Sequence, residues 1–195
     1  MNWKRQLIQV EHSIGTNNLQ YLEDGDIELF QSIIAKHPND PEAYIRIIYI
    51  IYDFLVEGLT TTDEHDLLAT LLKNYFDDSI KKFSENTEYL FFIGKILYIA
   101  EWYFGLDDDL KPMEMRLAFK MQKKAFEKEP HNILFEWAYI FSKGDKPQAF
   151  LLADQLLHHD IYYLAWLKRK GFAGHYVLET IQYCYNTYEK IINSD

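Results

Sequence analysis

The sequence predicts an all-α chain of stacked antiparallel helical hairpins, an α-solenoid of about ten helices. Three observations predict it. Lys36, Lys82 and Lys128 recur at intervals of 46 residues. Two places before each stands an apolar residue (Ile34, Ile80 and Phe126), and four places after each stands a residue suited to open a helix (Asp40, Asn86 and Asn132). The side-chain oxygens of such residues accept from the free amides of a helix start. Between these joints the apolar residues recur at helical spacing.

The first helix is expected over about Asn2 to Ile14, with Trp3, Leu7 and Val10 on one stripe, interrupted by Gly15-Thr16-Asn17-Asn18. A second runs near Asp26 to Lys36, carrying Ile27, Phe30, Ile33 and Ile34. The third has the clearest start: Asp40 as cap, Pro41 at the first helical position and Glu42 at the positive end of the dipole. Apolar nearly all round, from Tyr44 to Leu55, it should be central and buried, with Gly58 as its stop. Thr62-Asp63-Glu64 opens a fourth helix with Leu67, Leu68, Leu71, Leu72, Tyr75, Phe76 and Ile80 on its stripe. A fifth starts near Asn86 and runs toward Gly105. The sixth is expected to open after Asp107-Asp108-Asp109, with Pro112 in its first turn, and the seventh to run from Asn132 to about Lys143. Gly144-Asp145-Lys146-Pro147 reads as a tight corner into the eighth. Asp160 should cap a ninth helix ending near Gly171, and a tenth, from about Gly174 to Asn193, closes the stack. With no linker rich in Pro, Gly or Ser, residues 1–195 are expected to form a single domain.

Composition narrows the function. The chain is 48% hydrophobic with 8 Gly and 5 Pro, too apolar and regular for disorder. Its 15 Tyr and 13 Phe exceed what a core needs, so some rings should serve as surface contacts. The net charge of −10 and the lack of a basic stripe argue against direct nucleic-acid binding and favour a basic protein partner. A single cysteine, Cys184, excludes an internal disulfide and a cysteine-based zinc site, and its apolar surroundings suggest a buried, inert thiol. Residues Met1 to Glu11 contain no signal-peptide core, and the apolar run from Ile45 to Val56 is broken by Arg46 and Asp53. A cytoplasmic protein without a membrane span is expected.

Two stretches resemble the tetratricopeptide (TPR) repeat. Ala118, Ala125 and Pro130 look like that family's second-helix alanines and closing proline, and Asn39-Asp40-Pro41-Glu42-Ala43-Tyr44 with Ile47, Ile48 and Ile51 looks like its helix opening. The 46-residue spacing is longer than that family's and closer to HEAT or armadillo units. The resemblance implies a divergent, TPR-like scaffold and assigns no functional residues.

No Gly-rich phosphate loop, nucleophile elbow, Cys-x-x-Cys pair or His-Glu-x-x-His helix is present, so no catalytic residue, cofactor or metal is expected. Asp154 and His158 lie one helical turn apart, but a histidine near a helix end more often caps its carbonyls. Asp63, Glu64, His65 and Asp66 read as acids balancing a helix dipole, and Asp107-Asp108-Asp109 as a capped helix start rather than a magnesium motif. The aromatic groups Tyr98, Trp102, Tyr103, Phe104 and Tyr162, Tyr163, Trp166, flanked by Glu101, Asp107, Asp108, Asp109 and Asp160, have the composition of an interface for a basic partner. Glu101, Trp102, Asp107, Asp108, Asp109 and Tyr163 are the candidate partner-binding residues.

By size, charge and helical class the chain looks like a small acidic bacterial immunity protein. That resemblance implies binding and neutralisation of a cognate basic, nuclease-like toxin. The alternative is a TPR-like adaptor or secretion chaperone holding a peptide segment; an enzyme on a helical scaffold is the third reading. A peptide groove would carry polar residues once per repeat along inner helices, whereas the third and fifth helices are nearly all apolar.

Overall fold

In the computed structural model the described residues are 2–17, 22, 24–108 and 110–192, with the side chains of 15–17, 24 and 189–192 excepted. Ten α-helices are present among them: α1 (Trp3–Asn17), α2 (Asp24–Lys36), α3 (Pro41–Val56), α4 (Thr62–Phe83), α5 (Thr87–Ala100), α6 (Leu117–Lys128), α7 (Ile133–Ser142), α8 (Lys146–His158), α9 (Ile161–Lys168) and α10 (Gly171–Ile192). No strand occurs among the described residues, and the chain is all-α. It divides into two compact units, one of residues 1–84 and 100–106, the other of residues 85–99 and 107–195.

The three joints of the 46-residue repeat form as their chemistry requires. Asp40 accepts from the Glu42 amide at 3.0 Å. Asn86 accepts from Tyr89 at 2.8 Å, and Asn132 from Leu134 and Phe135 at 3.2 and 3.4 Å. Each joint therefore satisfies amides that a helix start would leave open.

In the first unit α3 is the central element, flanked by α1, α2 and α4. Residues Ala43 to Tyr52 are all buried, as the absence of a polar face demands. The one charge among them, Arg46, is paired in the core with Glu11 of α1 at 2.6 and 3.2 Å. α3 ends at Val56, and two residues on Gly58, whose φ of 67° suits glycine, turns the chain away. α4 opens on a reciprocal box: Glu64 accepts from the Thr61 amide at 2.8 Å, and Thr61 Oγ1 accepts from the Glu64 amide. A 3-10 turn at Glu101–Phe104 packs Phe104 against Tyr52 and Phe76.

In the second unit α6 packs on α7 and α7 on α8, while α10 packs on α9 and also on α8, two helices back in sequence. Trp137 is fully buried. α5 is apolar from Tyr89 to Ala100 except at Gly94 and Lys95, and it lies close to α6. A Cβ on Gly94 would fall 2.4 Å from Gln122 Nε2, which donates to the Phe91 carbonyl at 2.7 Å. Gly174 lets α10 meet the end of α9, where its Cβ would fall 1.8 Å from the Leu167 carbonyl oxygen.

Several expected features differ; α10, for one, begins at Gly171 and not near Gly174. α1 continues through Gly15 to Asn17; of the interrupting residues, Asn18 lies outside the described set. The sixth helix does not open in the first turn after Asp107-Asp108-Asp109. Pro112 instead leads a 3-10 turn, Met113–Met115, and α6 begins at Leu117 after Arg116, whose extended backbone ends that turn. Asp160 occupies the cap position of α9, but its side chain makes no capping hydrogen bond there. Among the described residues no helix is long and apolar enough to cross a membrane.

Candidate functional site

The second unit contains a cleft of about 330 Å³ where the joint at Asn86 meets the joint at Asn132 and the start of α9. Capping by Asn86 places Thr87 and Glu88 in the first turn of α5, and the α6–α7 corner supplies Glu129 and Asn132. Phe135 of α7 and Tyr162, Tyr163 and Trp166 of α9 complete the walls. Trp166 stacks on Phe92 with centroids 5.5 Å apart, which fixes it from behind. Tyr162 is 67% exposed and stands edge-on to Tyr163 at 5.4 Å.

The charges around this cleft are unevenly compensated. Glu85 is held by Lys124 and by Lys128 at 2.9 Å, and those two hydrogen bonds bring its carboxyl down to about 2. Glu88 is paired with Lys170 at 2.7 Å, and the same ammonium lies 5.0 Å from the Trp166 ring centroid. Among the described residues Glu129 receives hydrogen bonds only from neutral groups, the Thr87 hydroxyl and Asn132 Nδ2, the latter at 3.2 Å. Its charge is therefore oriented without being cancelled. Burial pushes the Tyr163 phenol above its ordinary value, and the negative charges of Asp160 and Glu129 push it the same way. The cleft is a negative, aromatic-lined concavity, suited to a cation with an apolar stem.

Of the six residues singled out from the sequence, Tyr163 lines this cleft. Asp107 is exposed elsewhere on the second unit. Asp108 is 7% exposed and faces inward: one carboxylate oxygen accepts from the Leu117 amide at 2.6 Å, the other from Lys111 at 2.5 Å. It caps α6 from nine residues upstream. Asp109 lies outside the described residues. Glu101 and Trp102 belong to the first unit, where Glu101 is buried and Trp102 is 62% exposed. Of the seven aromatic residues noted in the sequence, Trp102 and Tyr162 are exposed and Phe104 is buried; the others are partly covered. Tyr103, for example, donates to the Leu55 carbonyl at 3.1 Å.

Sequence reasoning missed Glu88 and Glu129. Both flank capping residues that the repeat had located, but only packing shows that the two joints abut. Lys95 was missed as well, although it is the one charged residue between Glu88 and Glu101. His158, considered for a metal pair, has Nδ1 2.9 Å from Asp154 Oδ1 and 3.2 Å from the Asp154 carbonyl oxygen. Among the described residues no group of three His, Cys, Asp or Glu side chains could hold a metal ion. The chain matches no protein-family model, no curated protein and no solved structure.

Proposed function

We propose that this chain is a protein-binding module that receives a basic segment of its partner in the cleft of the second unit. The carrying observation is the uncompensated Glu129 carboxylate beside the exposed ring of Tyr162. An arginine or lysine entering there would lay its stem on Tyr162 and Trp166 and bring its charge to Glu129. The net charge of −10 would speed its approach.

In the finer form of this proposal the scaffold is a divergent, TPR-like solenoid and the partner is a basic toxin domain. The chain then acts as an immunity protein, neutralising the toxin by covering its active or substrate-binding face. The small size, acidity and all-α class support this form. The alternative, an adaptor or secretion chaperone holding a peptide segment, draws on the same cleft, which is large enough for one or two side chains.

The test is affinity capture from the source cell at low salt, run in parallel with wild-type and Tyr162→Ala/Glu129→Lys bait. A single basic protein held by the wild type alone, whose nuclease-like activity falls in the complex, supports the immunity form. Several unrelated proteins sharing one basic segment support the adaptor. Equal retention on both baits removes the cleft from the proposal.

A further inference from the structure

A second cavity in the same unit, about 410 Å³, lies between α5, α7 and α10 and has chemistry of another kind. Tyr98 and Ile99 of α5, Phe141 of α7, and Tyr176 and Tyr183 of α10 form walls that are largely apolar, with Lys95 set among them. Ile99 and Tyr183 are exposed and mark its mouth. Lys95 itself is 3% exposed.

Burial works against the charge of this amine, and the titratable group coupled to it, the Cys184 thiol of α10, opposes that effect only in part. The Nζ atom lies over two rings, 4.3 Å from the Phe141 centroid and 4.6 Å from that of Trp137. Among the described residues no carboxylate forms an ion pair with it. On α10 the groups facing this cavity are Tyr176, Glu179, Thr180 and Tyr183. Glu179 is exposed, and the Thr180 hydroxyl is committed to the Tyr176 carbonyl at 2.8 Å. Cys184 of α10 is buried, which raises its thiol and keeps it neutral. The Tyr176 phenol, pushed by burial to about 12, stays protonated. Two aromatic faces compensate a buried ammonium only in part. Desolvation lowers the Lys95 amine to about 7, so a large neutral fraction exists at neutral pH.

A buried cation without a partner carries a stability cost, and an apolar cavity beside it has room for an apolar molecule. We propose that this cavity binds an apolar carbonyl compound, which Lys95 captures as a Schiff base. The Nζ lone pair attacks the carbonyl carbon, forming the C–N bond while the C=O π pair moves to oxygen. The oxygen takes up the proton that nitrogen releases, giving a carbinolamine. Loss of that hydroxyl together with the second nitrogen proton, as water, leaves the neutral imine. The step consumes no oxidant or reductant, and it exchanges an amine that the cavity protonates reluctantly for an uncharged group that fits it. This site is separate from the acidic cleft and does not depend on the partner proposed for it.

The experiment treats the full-length protein with hexanal and traps imines with cyanoborohydride, followed by intact mass and peptide mapping across pH 5 to 10. At pH 7 Lys95 is expected to label at least about tenfold faster than the exposed lysines, because burial favours its neutral, nucleophilic form. Its rate should rise with a midpoint near 7, and Lys95→Met should remove that adduct alone. Because mapping is done on the wild-type chain, the result holds even if the variant does not fold. Labelling confined to exposed lysines overturns the proposal. So does binding of hexanoate, read as NMR shifts at Lys95 and Tyr183, without labelling of Lys95 by hexanal, which would mark the cavity as an anion site.

Discussion

Asp108 separates two roles that an acidic side chain can play here, contact with a partner and support of a helix. Its carboxylate accepts from the Leu117 amide at 2.6 Å, at a helix start where Arg116 supplies no side-chain cap. Replacing it with alanine removes a charge-assisted hydrogen bond worth about 1.5–3 kcal/mol. It also removes an ion pair with the half-exposed Lys111, worth about 0–1 kcal/mol. A loss of about 2 kcal/mol follows, or a fall in melting temperature of about 4–8 °C for a chain of this size. Asp107→Ala, at an exposed neighbour, should change stability by no more than about 0.5 kcal/mol. Circular dichroism melts of the two variants and the wild type make the comparison. Burial works against ionisation of Asp108, but the Leu117 amide and Lys111 outweigh it and hold the carboxyl below the usual range. The stabilisation is thus complete above the unfolded carboxyl's pKa of about 4 and is lost as pH falls through the lower folded value. The gap between wild type and Asp108→Asn should close over that acid range. Equal melting temperatures for Asp108→Ala and Asp107→Ala at pH 7 would refute the capping role.

Further outcomes follow from the buried polar groups and the close backbone contacts. Removing Glu11 alone (Glu11→Ala) leaves Arg46 buried and unpaired and should cost about 3–5 kcal/mol in urea unfolding; the double variant Glu11→Leu/Arg46→Met should recover most of it. Gly174→Ala drives a methyl into the Leu167 carbonyl and should cost about 1–3 kcal/mol or more, read as a lower urea midpoint. Lys95→Met should stabilise the protein by a few kcal/mol at pH 6, where the wild type buries a charge. That advantage should shrink between pH 7 and about 10.4, as the folded amine and then the unfolded one lose their protons. Equal stability of wild type and Lys95→Met across pH 6 to 10 would contradict the uncompensated burial.

The helical class was legible because its signals are local. Asp40, Asn86 and Asn132 each sit within three residues of the amides they cap, so the 46-residue spacing carried them into the fold. The start of α6 was less legible because its cap comes from Asp108, nine residues away across a 3-10 turn. The cleft was legible in part. The aromatic run Tyr162-Tyr163-Trp166 marked one wall, but Glu129 is set apart from Glu85 and Glu88 only by which lysines reach each of them. Pairing of that kind depends on packing and leaves no periodic trace. Lys95 did leave a trace, as a lone charge in an apolar helix, but only the cavity beside it gives that charge a chemical meaning.

The most direct test of the binding account is an NMR titration of the isotope-labelled protein with a short arginine-rich peptide at low salt. The account predicts shifts concentrated at Glu88, Glu129, Tyr162, Tyr163 and Trp166, weakened by added salt and by Glu129→Gln. Shifts centred on Trp102 or Asp107, with the cleft residues unmoved, would contradict it.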